Sequence, residues 1–317
     1  MALTITVATS PKPFTDPLIR LIQTNALRNW KALGLEVLVF GDEEGVAEAA
    51  KSLGIRHVPH VARNAWGTPL LSDILHQARA QGQGDWVMLA NADILFTPCL
   101  WRAVEALEQY QAAPCIVTGR RWDVDIQTPL TFDGEDWPRR LWERVTQKGR
   151  LNLQGMDYFL FPRDLPLDMP PLAIGRAGWD NWMIYHGRQQ GWKVIDATPD
   201  ILVVHQNHHY RHLPGGQPHY KLDETRENVR LAGGEDKMYT LWEATHLLKE
   251  GRVRPAPWHP MKPLRHLELW LLRDGFPERG WKRVLIRWVR RKWQAALVRK
   301  HDWWKRYYRM AAPCVSV

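Results

Sequence analysis

Short apolar runs, separated by polar turns, alternate between two periods over the first 120 positions. Residues 3–9 are rich in β-branched side chains and stop at Ser10-Pro11-Lys12-Pro13, which predicts a strand ending in a turn. Leu18, Leu21, Ile22, Ala26, Trp30 and Leu33 then recur at helical spacing, and Gly34 supplies the stop. Residues 36–40 predict a second strand closing on Gly41-Asp42, and residues 55–61 a third. Thr68-Pro69 has the form of a helix start, a capping hydroxyl before a proline, and that helix is expected to run to about Gln81. Gly82-Gln83-Gly84 leads into Trp86-Val87-Met88-Leu89-Ala90, an unbroken apolar run that predicts a strand buried on both faces.

The alternation continues with a helix over 100–110 and a strand over 115–119. Residues 120–138 read as irregular and acidic, 156–162 alternate like a strand, 180–190 predict a helix, and 194–196 and 201–205 predict short strands. Residues 222–250 read as helical. Alternating strands and helices imply an α/β fold with a mainly parallel, Rossmann-like sheet flanked by helices. Such sheets bind ligands beyond the carboxyl ends of their strands. Thr9, Asp42, Asn64 and Asp93 all fall at such ends.

At 317 residues, 45% of them hydrophobic, the chain can bury a full core. No apolar run approaches the ~18 residues that span a bilayer. The opening MALTITVATS has no basic segment ahead of an apolar one, so a secretory signal is not expected. Cys99, Cys115 and Cys314 are odd in number and far apart, which argues against a disulfide frame or a zinc site and suits a reducing, cytoplasmic setting. The net charge of +9 is concentrated: residues 262–309 hold 15 lysines and arginines against 4 acids, which leaves the rest of the chain at −2. The basicity therefore belongs to a tail and says nothing of the fold.

No GxxxxGK[ST], no GxGxxG after a strand, and no GxSxG, HExxH or CxxC occurs, which weakens hydrolase, dehydrogenase and zinc-enzyme readings. What remains is Asn91-Ala92-Asp93. Side chains two apart at an extended strand end face the same way, and two such oxygens can hold a hard cation, Mn²⁺ or Mg²⁺. An ordinary Asx-type turn is the plainer alternative.

Taken in this order, the chain resembles nucleotide-sugar glycosyltransferases of the GT-A fold over roughly residues 3–225. The resemblance is carried by TITVATSPKPF, GDEEG, RNAWGTP, the Asn-Ala-Asp triplet, GWDNW and VVHQNHHY. It implies that Asn91-Ala92-Asp93 stands where a D-x-D-type motif binds a divalent cation bridging the donor diphosphate. Asp93 is then the direct ligand, and Asn91 removes a negative charge, which leaves room for transfer that depends only weakly on metal. The same resemblance offers His205 as a further ligand, with His208 as its competitor; neutral imidazole suits Mn²⁺ at a mixed site. Asp42 corresponds to the acid that contacts the nucleotide base, Asn64 and Gly67 to a nucleotide-contacting turn, and Thr9 and Ser10 to the pocket wall. The loop 210–220, with Arg211, His212 and His219 and nearby Lys221, would fold over the diphosphate, although an ordinary solvated polar loop would look the same. Asp180, between Trp179 and Trp182, corresponds to the base of an inverting reaction, although an aspartate capping a helix beside core tryptophans would look the same. Asp157 would reach the donor sugar or the acceptor, and Arg121, Asp123 and Asp125 would line the acceptor side.

Residues 280–309 predict a helix with Trp281, Val284, Leu285, Trp288, Val289, Trp293 and Ala296 on one face and Arg283, Arg287, Arg290 and Arg291 on the other. A basic, tryptophan-rich amphipathic helix suits a membrane interface. It can equally pack its tryptophans on the body, and nucleic acid is not the expected partner. The expectation is thus a GT-A-like domain (1–221), a helical segment packing on it (222–261) and a basic amphipathic tail (262–317). The expected reaction moves a sugar from a nucleoside diphosphate sugar to an acceptor hydroxyl on a glycan or glycolipid, at the inner face of a membrane. A sugar-phosphate nucleotidyltransferase is the first rival, but SPKPF lacks the glycine-rich, arginine-containing loop that chemistry uses. A non-catalytic nucleotide-sugar-binding protein is the second, favoured by Asn91.

Overall fold

Odd and even positions of the central strands face opposite ways, and each set meets its own layer of helices. The computed structural model describes residues 3–209, 222–259 and 261–299. The chain begins β1 (Ile5–Thr9), α1 (Pro17–Ala32), β2 (Glu36–Phe40), α2 (Val46–Leu53), β3 (Arg56–Val58), α3 (Leu71–Gln81) and β4 (Trp86–Ala90). It continues through β5 (Ile94–Leu95), α4 (Cys99–Gln109), β6 (Cys115–Thr118), β7 (Arg121–Val124), α5 (Trp137–Lys148), β8 (Arg150–Asn152) and β9 (Tyr158–Pro162). The remainder is α6 (Trp179–Gln189), β10 (Lys193–Asp196), β11 (Val204–Gln206), α7 (Asp223–Leu231), β12 (His246–Lys249), β13 (Arg252–Pro255), α8 (Lys262–Leu271) and α9 (Trp281–Arg299).

The main sheet runs β13-β12-β10-β6-β9-β4-β1-β2-β3, parallel throughout except for β9 and the edge strand β13. Ile5, Val7, Val37, Val39 and Met88 pack against Ala26, Leu27 and Trp30 of α1 and Leu100, Val104 and Leu107 of α4. Ala8, Leu38, Phe40, Val87 and Leu89 pack on the other side against Ile74 and Leu75 of α3 and Trp179, Trp182 and Met183 of α6. This is the two-faced burial that the apolar run at Trp86 predicts. A smaller sheet, β5-β11-β7-β8, stands over the carboxyl end of β4, with β11 antiparallel to β5 and parallel to β7.

Several elements differ from the sequence expectation for identifiable reasons. Helix α3 starts at Leu71, two residues beyond the expected proline start, because the Thr68 N–H is bound by Asn64 Oδ1 and the Pro69 carbonyl by Ile174 N–H. The stretch 120–138 is not wholly irregular: Arg121–Val124 forms β7. The expected helix over 222–250 is α-helical only at Asp223–Leu231, with single 3-10 turns at Glu235–Lys237 and Leu241–Glu243. Gly233 and Gly234, at φ +95° and +114°, end it. Glu250 and Gly251, both at positive φ, then form the two-residue turn of the hairpin β12–β13, with both N–H groups held by Asp200 at 2.8 Å.

Helices α8 and α9 pack on the body through one fully buried carboxylate. Glu268 accepts from Arg265 at 2.9 Å, Arg290 at 2.5 Å and the Trp293 indole at 2.7 Å, while Arg265 also reaches Glu243 at 3.3 Å. Glu268→Ala would deprive buried Arg265 of one of its two carboxylates and leave the Trp293 indole N–H unmatched, a loss of about 3 kcal/mol. A urea midpoint equal to that of the wild type would show that this carboxylate does not hold the helical pair.

Candidate functional site

Strands β1 and β4 are parallel neighbours, but the chain leaves β1 toward β2 and leaves β4 toward the opposite half of the sheet. Their loops diverge at the carboxyl edge, which is where such sheets open a crevice. The β1 loop carries Thr9, Ser10 and Lys12; the β4 turn carries Asn91 and Asp93. Both are fastened to α1. Buried Gln23 accepts from the Lys12 N–H at 2.6 Å and donates to the Lys12 carbonyl at 2.9 Å. The Asp93 carbonyl accepts from the Gln206 N–H at 3.0 Å, and the Gln206 amide donates to Ile22 O at 2.8 Å and accepts from Asn25 at 3.0 Å. Asn29 fixes Phe96 in the same way, accepting from its N–H at 2.8 Å and donating to its carbonyl at 3.1 Å.

Asp93, His205 and His208 converge, with one ligand atom from each lying within 4.8 Å of the others. Asp93 Oδ2 is 3.2 Å from His208 Nε2 and 3.9 Å from His205 Nε2. The sequence left the two histidines as competitors; the fold brings both. His205 of β11 is the register partner of Asp123 on β7, and its Nδ1 faces Asp123 Oδ1 at 3.2 Å. Nδ1 is buried and makes no hydrogen bond among the described residues, so Asp123 stands beside it as a charged neighbour while Nε2 lies toward Asp93 at 3.9 Å. A carboxylate beside the outer nitrogen is the arrangement that orients a metal-binding imidazole. Asp93 Oδ1 is buried and has no hydrogen-bond partner among the described residues. One carboxylate and two imidazoles with an orphaned oxygen form a donor set that fits Mn²⁺ or a similar divalent ion.

A residue that the sequence reading passed over also enters this group. Lys12 Nζ lies 3.2 Å from His208 Nε2 and 4.0 Å from Asp93 Oδ2. Burial alone would raise the Asp93 carboxyl, but the His208 hydrogen bond and the charges of His205, Lys12 and His208 outweigh it and hold the group far below the usual carboxylate range. Burial pulls the Lys12 ammonium down, and the charges of Asp93 and Asp157 oppose that shift.

Asn91 turns the other way: its amide donates to Asp157 Oδ1 at 2.8 Å. Asp157 Oδ2 takes Arg121 at 2.6 Å, and Arg121 Nε reaches Asp123 at 2.9 Å. Arg121 and Asp123 therefore belong to the network behind the Asp93 group, while Asp125 holds Asn207 at 2.8 Å. Asp180, in the first turn of α6, is not the helix cap; Gly178 occupies that position at φ +111°. Burial, reinforced by the Asp157 charge, pushes the Asp180 carboxyl up to about 6.

The candidate nucleotide residues lie along the same sheet edge. Thr9 Oγ1 is buried without a partner among the described residues, and Ser10 Oγ lies 3.4 Å from where a side chain on Gly41 would begin. Gly41 sits at φ +105°, where a side chain is strained, and Glu43 Oε2 fills the space that a Cβ would take. The turn sends Asp42 outward, its side chain 72% exposed and paired with Arg63 at 2.5 Å. Glu43, 17% exposed, is the inward acid, and no local pattern in the chain distinguishes the two. Asn64 closes an Asx turn by accepting from the Trp66 and Thr68 N–H groups, with Gly67 at φ +79°. Its amide donates to buried Glu224 at 2.7 Å, and Glu224 also pairs with Arg176. Neither Glu224 nor Arg176 stood out in the sequence. Arg211, His212 and His219 lie outside the described residues.

No family model matches the chain, and no curated protein matches it in sequence. Among solved structures, it is similar to a mannosyltransferase from Pyrobaculum calidifontis in complex with GDP-Man and Mn²⁺. The identity is 16% and the TM-score 0.46, over 98% of this chain and 83% of that one. It is also similar to glucosyl-3-phosphoglycerate synthase from Mycobacterium tuberculosis in complex with Mn²⁺, UDP and phosphoglyceric acid. Here the identity is 14% and the TM-score 0.37, over 65% of this chain and 72% of that one.

Asp123→Ala removes the group that orients His205 without touching a ligand atom. Mn²⁺ affinity, followed by electron paramagnetic resonance, is expected to fall by about 10–100-fold. Unchanged affinity would mean that His205 is not held for metal by Asp123.

Proposed function

We propose that this chain is a metal-assisted glycosyltransferase that moves a sugar from a nucleoside diphosphate sugar to an acceptor hydroxyl. The observation that carries this reading is the gathering of Asp93, His205 and His208 at the crevice between β1 and β4. A divalent ion held there would draw charge from the diphosphate as the sugar–phosphate bond breaks. Asp93 would bind it directly, His205 and His208 would complete the protein ligands, and Asp123 would fix His205. Asn91, bound to Asp157, would serve the site by positioning.

Thr9, Ser10 and Asn64 suit the nucleotide because they line the ends of β1 and β3 within the same edge. In this reading Glu43, the inward acid, takes the role that the resemblance gave to Asp42. Asp180 is the proposed base. Its carboxyl, raised to about 6, is ionised at neutral pH yet basic enough to accept the proton of an acceptor hydroxyl. Asp157 lies close enough to influence Asp180, and this ties the base to the Asn91 end of the network.

The acceptor we favour is a glycan or glycolipid at a membrane surface, as in the building of a cell-surface polysaccharide, with the protein peripheral on the cytoplasmic side. Support comes from α9. Ile286, Val289 and Trp293 are buried against the body, so the face expected from the sequence is divided. Trp281, Val284 and Trp288 fall on a separate stripe that is exposed, Trp281 by 74%, among exposed Arg287, Arg291 and Lys292. Tryptophans flanked by basic residues suit the headgroup region of an anionic bilayer. No helix among the described residues is long and apolar enough to cross a membrane.

Asp180→Asn is expected to slow sugar transfer by about 10²–10⁴-fold while Mn²⁺ and nucleoside diphosphate still bind. In the wild type the rate should rise with pH through about 6, because the base must be deprotonated. Wild-type transfer by the variant would remove Asp180 from the chemistry. For the membrane, Trp281→Ala with Trp288→Ala should lower cosedimentation with phosphatidylglycerol vesicles. Equal pelleting of both proteins would exclude this helix face as the contact.

A further inference from the structure

Lys12 is built into the Asp93 group with more care than a turn lysine needs. Pro11 and Pro13 restrict the backbone on either side. Buried Gln23 binds both the N–H and the carbonyl of Lys12 itself, at 2.6 and 2.9 Å. The ammonium so presented reaches His208 Nε2 at 3.2 Å and Asp93 Oδ2 at 4.0 Å, the two groups that face the candidate ion. The neighbouring cations are committed elsewhere. Arg121 is bound by Asp123 and Asp157, and Arg176 by Glu224.

The charge count at the centre is unusual for a divalent site. Asp93 is the carboxylate of the Asp-His-His group, Asn91 is neutral and turned to Asp157, and both histidines are uncharged when they act as ligands. Asp123 and Asp157 against Arg121 add one net negative charge behind Asp93, so a divalent ion beside Lys12 still leaves one positive charge over among these groups, and the two cations repel across a few ångströms. A bound diphosphate supplies the missing negative charge and a second partner for the ammonium.

We infer that Lys12 is a resident counter-cation that shares Asp93 with the divalent ion, so that ion and nucleoside diphosphate bind cooperatively and the ion alone binds weakly. In the empty site the ammonium lies 3.2 Å from His208 Nε2 and 4.0 Å from Asp93 Oδ2, in the space that an ion held by both ligands would take. When the diphosphate arrives, Lys12 turns its charge to the phosphate oxygens and yields that space to the ion. Lys12 is thus a positioning residue that makes the centre sense whether donor is present. The inference rests on the proposed reading of the Asp93 group as a cation site for a diphosphate donor.

The test is Mn²⁺ binding to the full chain by electron paramagnetic resonance, with and without UDP or GDP, in the wild type, Lys12→Met, Lys12→Arg and Asp93→Ala. For the wild type, the better-bound nucleoside diphosphate should tighten Mn²⁺ by about 5- to 150-fold, the usual span of such coupling. Lys12→Met should bind Mn²⁺ alone more tightly than the wild type and lose most of the coupling. Lys12→Arg, which keeps the charge, should retain the coupling; this also guards against a fold defect in the methionine variant, whose melting curve is recorded alongside. If Lys12→Met binds Mn²⁺ alone no tighter than the wild type, while Asp93→Ala binds none, the inference fails and the metal site stands. If Asp93→Ala binds Mn²⁺ like the wild type, the metal site itself fails, and this inference with it.

Discussion

A carboxylate buried beyond the end of a central strand has to be matched by positive charge, and Asp93 is placed under that demand. The apolar strand β4 carries it inward, and the small sheet over the strand end removes it from water. What answers the charge is drawn from two distant parts of the chain: Lys12 from the β1 loop, and His205 of β11 with His208 just beyond it. An ionised group in such a place is costly unless several partners converge on it. In the proposed reading, the convergence that keeps Asp93 ionised is also what would let the edge hold a cation and, through it, a phosphate.

The partners stay converged because α1 acts as a common anchor. Gln23, Asn25 and Asn29 are buried amides on that helix, and each ties one of the segments around the site. Gln206 joins them from β11 and holds the Asp93 carbonyl itself. Amides satisfied in this way fix loops to one another with little freedom, and each unmade bond would be expensive in the same setting. Behind Asp93, the alternation of Asp123, Arg121 and Asp157 spreads charge along a line that reaches Asn91 and influences Asp180.

The parts of this arrangement that follow from strand ends were legible in the chain. Asp93, His205 and the parallel order of β1 to β4 come from apolar runs that stop on polar residues, a signal both local and strong. The parts that depend on one long-range contact were not. Gln23 sits on the inner stripe of α1 beside Ile19, Ile22 and Ala26, where its polarity reads as a surface residue. Lys12 reads as part of a proline turn. The choice between Asp42 and Glu43 is made by the φ of Gly41, which spacing does not express. The hairpin after α7 was legible in principle, from Glu250-Gly251 between short apolar runs, but its residues also tolerate a helix. The division of the α9 tryptophans between the body and solvent follows from α8 and Glu268, both invisible to a projection of α9 alone.

The central claim is that Asp93, His205 and His208 grip one ion against a diphosphate. Crystals grown with Mn²⁺ and a nucleoside diphosphate, measured at the manganese absorption edge, test it most directly. One anomalous peak is expected within bonding distance of all three side chains and of a phosphate oxygen. A peak that bonds the phosphates but leaves Asp93 and both histidines unligated would contradict it.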